Sequence, residues 1–271
     1  MTIKLGIAGA SGRMGRMLLE AIAASEYNVE LSAAILRPDS ALCGVYTGTL
    51  LGGPPSGVLF TEDIKAAVNE VDVLVDFTPP AAAVLNAQYC AAMGTPLVSG
   101  TTGFSATQDK QFHEATRAIA LCQASNFSTG VNLAYRLLAQ AAAILGSDAD
   151  IEISEAHHRH KVDAPSGTAI AMGEVVAAAT GRNLADVAVY GREGHTGKRD
   201  RETIGFSTVR AGDIVGDHTV TFAAQGERLE ITHKASSRMA FARGAIRAAV
   251  WLINQKPGVY DMQDVLGLKE N

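Results

Sequence analysis

Apolar residues along this chain fall into two rhythms. In the first half, short, mainly apolar runs alternate with stretches whose apolar positions recur every three or four residues. Ile3–Ala8, Val71–Phe77, Pro96–Ser99 and Ile119–Gln123 are of the first kind. Met17, Leu18, Ala21 and Ile22, then Ala81–Met93 and Gln108–Ala115, are of the second. Mainly apolar runs suit strands buried on both faces, and the longer period suits helices lying over them. A strand at Glu30–Leu36, a weaker one at Val58–Phe60 and a short helix at Ile64–Asn69 fill the intervals. Such alternation with short joints predicts an α/β fold with a doubly wound parallel sheet. Ser40–Gly57, with its glycines and Pro54-Pro55, reads as a surface loop.

After the polar junction Ser125–Gly130 the pattern changes. An apolar helix, Val131–Ile144, leads to a strand at Ile151–Ser154 and a helix at Ala169–Ala179. Tyr190–Thr203, rich in Gly, Arg, Glu and His, reads as a long exposed loop and a candidate lid. Thr203–Val209, Thr219–Ala224 and Arg228–Lys234 are strand-like, with Gly226 in the last turn. Strands gathered late in a chain predict a second sheet in a smaller α+β domain. A one-sided sheet needs cover, so its open face is a natural oligomer interface. Ser236-Ser237 is placed to cap a last helix running to about Ile253, expected to pack back on the first domain. The expected division is residues 1–126, rejoined by about 237–271, as a dinucleotide-binding domain, and 127–236 as a substrate-binding and oligomerisation domain.

Two segments carry the candidate chemistry. The first run ends in Gly9-Ala10-Ser11-Gly12-Arg13-Met14-Gly15 and then a helix, the context a Rossmann-like dinucleotide turn requires. Gly9 would allow the tight turn, Gly12 the approach of a pyrophosphate, and Gly15 the packing of helix on sheet. A plain βα turn is the alternative. The second strand ends Ile35-Leu36-Arg37-Pro38-Asp39. Leu36 offers no acceptor to a ribose hydroxyl, whereas Arg37 suits a 2′-phosphate, so NADPH is expected to serve at least as well as NADH; Asp39 leaves NADH open. Gly100-Thr101-Thr102-Gly103 closes another strand at the end where open α/β sheets bind ligands.

The second segment is Glu155–Thr168. His157, His158, Arg159, His160 and Lys161 stand at five consecutive positions, followed by Pro165-Ser166-Gly167-Thr168 and a helix. Cations suit an anionic ligand, imidazole moves protons near neutral pH, and a helix start offers free N–H groups. A solvated loop and a metal site are the alternatives, but adjacent histidines diverge and no His-x-x-x-His pair is present, so no metal is expected.

Composition narrows the function classes. Hydrophobic residues make up 47% and charged residues 19% of the 271, as in a globular protein. A net charge of −5 gives no general attraction to nucleic acid or anionic membrane. Cys43, Cys90 and Cys122 form neither a disulfide framework nor a zinc pattern. No signal peptide is read at the start and no apolar run reaches the about 18 residues of a membrane helix, so a cytoplasmic protein is expected.

The glycine turn, Asp76-Phe77-Thr78, Gly100–Phe104, Asn126-Phe127-Ser128, Glu155–Thr168, Arg192–Gly197 and Arg210–Gly216 together resemble the 4-hydroxy-tetrahydrodipicolinate (dihydrodipicolinate) reductase family of bacterial lysine and diaminopimelate biosynthesis. The resemblance implies NAD(P)H-dependent reduction of a small dicarboxylate heterocycle, an open mixed sheet in the smaller domain, and a homotetramer. It implies cofactor contacts at Gly9, Ala10, Ser11, Gly12, Arg13, Met14, Arg37, Gly100, Thr101, Thr102, Ala124, Ser125, Asn126 and Phe127. His157 would be the proton donor and acceptor and Lys161 a second donor, with His158, Gly167 and Thr168 on the substrate carboxylate. Leu36 departs from the acidic residue common in members that use NADH well. The rival readings are another NAD(P)-dependent dehydrogenase of small amino-dicarboxylates, and an NAD(P)H-sensing module without catalysis.

Overall fold

β1 (Ile3–Ala8), β2 (Val29–Ile35), β3 (Phe60–Thr61), β4 (Val73–Asp76), β5 (Leu97–Ser99) and β6 (Ala120–Gln123) alternate with α1 (Arg13–Ala23), α2 (Thr47–Leu50), α3 (Ile64–Asn69), α4 (Pro80–Met93) and α5 (Ala106–Thr116). There follow α6 (Thr129–Leu145), β7 (Asp150–His157), α7 (Gly167–Ala179), α8 (Leu184–Val187), β8 (Ala188–Tyr190), β9 (Ile204–Arg210), β10 (Gly216–Ala223) and β11 (Arg228–Ala235). α9 (Met239–Leu252), β12 (Gly258–Tyr260) and α10 (Met262–Val265) complete the chain. The structure is a computed structural model describing residues 1–52 and 57–269; Pro54-Pro55 of the expected loop lie outside the described residues. The chain divides into two compact units, Met1–Thr129 with Arg238–Asn271, and Gly130–Ser237.

Unit 1 holds a sheet in the order β12-β6-β5-β4-β1-β2-β3, and every pairing in it is parallel. Strand alternation splits the apolar residues of its strands between two cores. Leu5, Ile7, Val73, Val75 and Val98 face α1 and α9; Leu74, Leu97 and Leu121 face α3, α4 and α5. Burial on both faces is why these strands read as mainly apolar runs.

Unit 2 is built on a mixed sheet, β11-β10-β7-β9-β8, with β7, β9 and β8 parallel and β10 and β11 antiparallel. One face is covered: Ile151, Ile153, Ile204, Phe206, Val220 and Phe222 meet Leu138 of α6 and Met172 and Val176 of α7. Along β10, buried residues alternate with partly exposed Asp217, Thr219 and Thr221.

Several boundaries differ from expectation. β7 runs on to His157, because Glu155 and His157 continue the inward alternation after Ile151 and Ile153. Tyr190 belongs to β8 and stacks on Phe206, with ring centroids 5.1 Å apart. The loop after it is tethered: Arg192 makes two 2.9 Å hydrogen bonds to Glu152, and Arg199 binds Glu152, Asp150 and three backbone carbonyls. Gly205 lies opposite Glu152 and a side chain there would overlap that carboxylate. α9 starts at Met239, with Arg238, which has helical backbone angles and makes no side-chain capping bond, as its N-cap just past the serine pair.

Candidate active site

In unit 1 the glycine turn lies between the carboxyl ends of β1 and β4, where the strand order reverses direction. Gly9 has φ +68, a region L side chains avoid. The Gly12 N–H closes the turn on the Gly9 carbonyl at 2.9 Å. Gly12 also caps α1 without a side-chain bond, and a Cβ on Gly15 would overlap Gly9 and Ala10. The helix therefore rests on the turn, and its first N–H groups, which have no intrahelical acceptors, stay open beside exposed Gly12 and Arg13. These features fit a dinucleotide pyrophosphate over Gly9, Ala10, Ser11, Gly12, Arg13 and Met14.

The neighbouring turns make the rest of the cleft. Asp76, fully buried at the end of β4, accepts hydrogen bonds from the Thr78 N–H (2.7 Å) and from Asn86 (3.0 Å). Burial pushes its carboxyl up, and the Thr78 and Asn86 bonds pull against that. Thr101 donates to the Thr78 carbonyl at 2.8 Å, and Gly100 must be bare because a Cβ would overlap the Phe77 ring. A cleft of about 370 Å³ brings Arg13, Met14, Gly100, Thr102, Ser125, Asn126 and Phe127 together. Thr101, Thr102, Ala124 and Ser125 line an adjoining one of about 450 Å³. Arg37 lines neither; it is exposed just past β2, whose Ile35 carbonyl accepts from the Ala10 N–H. Leu36 is turned into the core, 5% exposed.

In unit 2 the five basic positions separate. His157 is buried, His158 and Lys161 are half-buried, and Arg159 and His160 are exposed. The buried imidazole is accommodated by charge. His157 Nδ1 lies 2.6 Å from Glu155 Oε2, and Arg210 grips both oxygens of that carboxylate at 2.7 and 2.8 Å. Burial alone would raise the Glu155 carboxyl; Arg210 and then His157 outweigh it and hold it low. Glu155 Oε1 also accepts the Ser166 N–H at 3.1 Å, and Ser166 caps α7 by accepting the Ala169 N–H. Gly167 is exposed and Thr168 half-buried at the open start of α7. Lys161 is paired with Asp163 at 2.8 Å, which holds the Asp163 carboxyl low.

Four residues of this arrangement had no assigned role in the sequence reading: Glu155, Ser166, Arg210 and His218. His218 Nε2 lies 2.9 Å from Ser166 Oγ, and its ring stands edge-on to His157 at 5.1 Å. The available signal was a histidine on the inward side of an alternating strand, with Val220 and Phe222. Phe77, Arg238 and Phe241 likewise line the cleft in unit 1.

A glycine turn at the switch point of a parallel sheet and a separate unit built round a buried imidazole–carboxylate pair are the parts a nicotinamide-dependent oxidoreductase needs. The description "Dihydrodipicolinate reductase, N-terminus" matches residues 3–127, and "Dihydrodipicolinate reductase, C-terminus" matches 130–266. The chain belongs to the dihydrodipicolinate reductase family. A 4-hydroxy-tetrahydrodipicolinate reductase of Saccharophagus degradans is 59% identical over 269 residues, covering 99% of this chain and 100% of the relative. Among solved structures, a dipicolinate-bound dihydrodipicolinate reductase from Paenisporosarcina sp. TG-14 shares the fold with a TM-score of 0.77 at 22% identity, over 97% of this chain and 99% of that one. An amine dehydrogenase from Mycobacterium smegmatis has a TM-score of 0.58 at 12% identity, over 96% and 94%. Among the described residues no helix is long and apolar enough to cross a membrane.

Proposed function

We propose that the chain reduces 4-hydroxy-tetrahydrodipicolinate to tetrahydrodipicolinate, a step of the diaminopimelate route to lysine, with NADPH or NADH. The observation that carries this reading is the shared carboxylate of unit 2: Glu155 binds both His157 and Ser166, the residue that caps α7. A proton carrier and an open helix start thereby stand together, as a doubly negative heterocycle requires. His157 exchanges the proton at Nε2, and Lys161 is the second donor. His158, Thr168 and the exposed Gly167 N–H take a substrate carboxylate. A reduced nicotinamide bound to unit 1 supplies the hydride. Gly9, Ala10, Ser11, Gly12, Arg13 and Met14 hold the pyrophosphate, and Gly100, Thr101, Thr102 and Ala124–Phe127 the nicotinamide end.

The assay is loss of nicotinamide absorbance with the heterocycle generated in place by its synthase. His157→Gln and Lys161→Ala each lower turnover about 100-fold or more, the scale of lost acid–base help; near-normal rates in both would reject these roles. NADPH is used at least as well as NADH, supported by exposed Arg37 beside inward Leu36. Arg37→Ala then raises the KM for NADPH about tenfold and leaves that for NADH within about twofold, as expected for loss of one phosphate contact. The working form is a homotetramer joined through the uncovered sheet faces. Its work is in the cytoplasm, where a reduced nicotinamide pool is at hand.

A further inference from the structure

The alternation of β7 puts Glu155 and His157 on one face, and every acceptor direction of the Glu155 carboxylate is used. Oε2 takes His157 Nδ1 and Arg210 Nη1; Oε1 takes Arg210 Nη2 and the Ser166 N–H. An ionised carboxylate can only accept, so the imidazole nitrogen facing it must carry hydrogen. On the other side of the ring lies Gly216, one residue before Asp217, which pairs with Ala156. Gly216 is absent from the positive-φ residues, so its backbone does not call for glycine. The ring does: a Cβ there would stand 2.9 Å from His157 Nε2 and 3.3 Å from Cδ2. His218, anchored to Ser166, closes a third side.

We infer that Glu155 is the positioning residue for His157: fixed by Arg210 and the Ser166 N–H, it keeps a proton on Nδ1 and leaves Nε2 to exchange with substrate, over the bare floor of Gly216. This rests on the acid–base role proposed above for His157. When imidazolium gives up its proton, the N–H bond at Nε2 breaks and a bond to the substrate forms. The Nδ1–H bond persists, and no proton passes to Glu155.

Glu155→Gln tests this. Its amide nitrogen must face an Arg210 donor on either side, but beside His157 the ring can respond by moving its proton to Nε2. The neutral tautomer therefore switches, and the ring no longer offers Nε2 as an acceptor. ¹⁵N spectra of histidine-labelled protein, with His157 assigned by its loss in His157→Gln, show the neutral ring protonated at Nδ1 in the wild type and at Nε2 in Glu155→Gln. Turnover of the variant falls about 100-fold or more while the KM for the nicotinamide cofactor stays within about threefold. Gly216→Ala, which keeps the carboxylate, lowers turnover about tenfold or more, on the scale of a displaced reacting atom. A wild-type ring protonated at Nε2 overturns the inference even if Glu155→Gln fails to fold, as does wild-type turnover in Gly216→Ala. If His157→Gln is inactive but folded Glu155→Gln turns over normally, only the positioning role falls. If His157→Gln is itself active, the acid–base reading falls, and the positioning role with it.

Discussion

His218 works uncharged. It is 4% exposed on β10, and burial first, then the neighbouring His157, pushes its pKa down to about 4 from an ordinary 6.5. Below pH 6.5 the unfolded chain binds a proton that the folded chain refuses until about pH 4. Stability is therefore full above 6.5 and declines as the pH falls through that window. Over the whole window the loss is about 3 kcal/mol, at 1.36 kcal/mol per pKa unit. Urea denaturation from pH 7 to pH 4 should show this decline, and His218→Gln should flatten it; an equally steep profile in the variant would remove His218 as the cause. Glu155 adds a later loss, below its ordinary 4.5, as protonation releases Arg210. Such residues were hard to read in the sequence because their partners are remote. Glu155 and Arg210 are separated by 55 positions, and Ser166 and His218 by 52. The basic run His157–Lys161 is contiguous in sequence, yet the strand geometry buries its first member and exposes Arg159 and His160.

At the level of elements, the glycine turn makes the sharpest demand. Gly15 belongs to α1, where alanine is ordinarily the better helix former, but a methyl group there has no room against Gly9 and Ala10. Gly15→Ala should separate helix from turn and weaken NADPH binding about tenfold or more, the scale of a disturbed close-packed contact. Unchanged affinity by fluorescence titration would count against the cradle. The first sheet was legible because strands buried on both faces are apolar at most positions, and α3 has the expected limits, Ile64–Asn69. β8 and β12, of three residues each, and α10, of four, were missed. A segment that short has no room for a period; β12 acquires its identity from pairing with β6. The tether of the Tyr190–Thr203 loop was equally hidden, since its polar composition is that of any exposed loop until Arg199 meets Glu152.

At the scale of the whole molecule, the uncovered sheet face of unit 2 leads to a prediction about assembly. Sedimentation should give a species of four chains. Glu230→Arg, exposed on β11, should shift it toward smaller species, because it replaces the Arg228–Glu230 ion pair by two cations on the face to be covered; a wild-type monomer at working concentrations would refute the proposed tetramer. Unit 1 raises a different issue, because it is written in two separated parts of the chain. α9 lays Ala242, Ala245, Ile246, Ala249 and Leu252 against the core that α1 began, and β12 extends the sheet beyond β6. On the ribosome, the part translated first must wait with an unfinished apolar surface until the last part emerges. The intervening segment is contiguous and can mature as soon as it clears the exit tunnel. The order of completion therefore reverses the order of translation, and the nascent dinucleotide half is the stretch most in need of shelter.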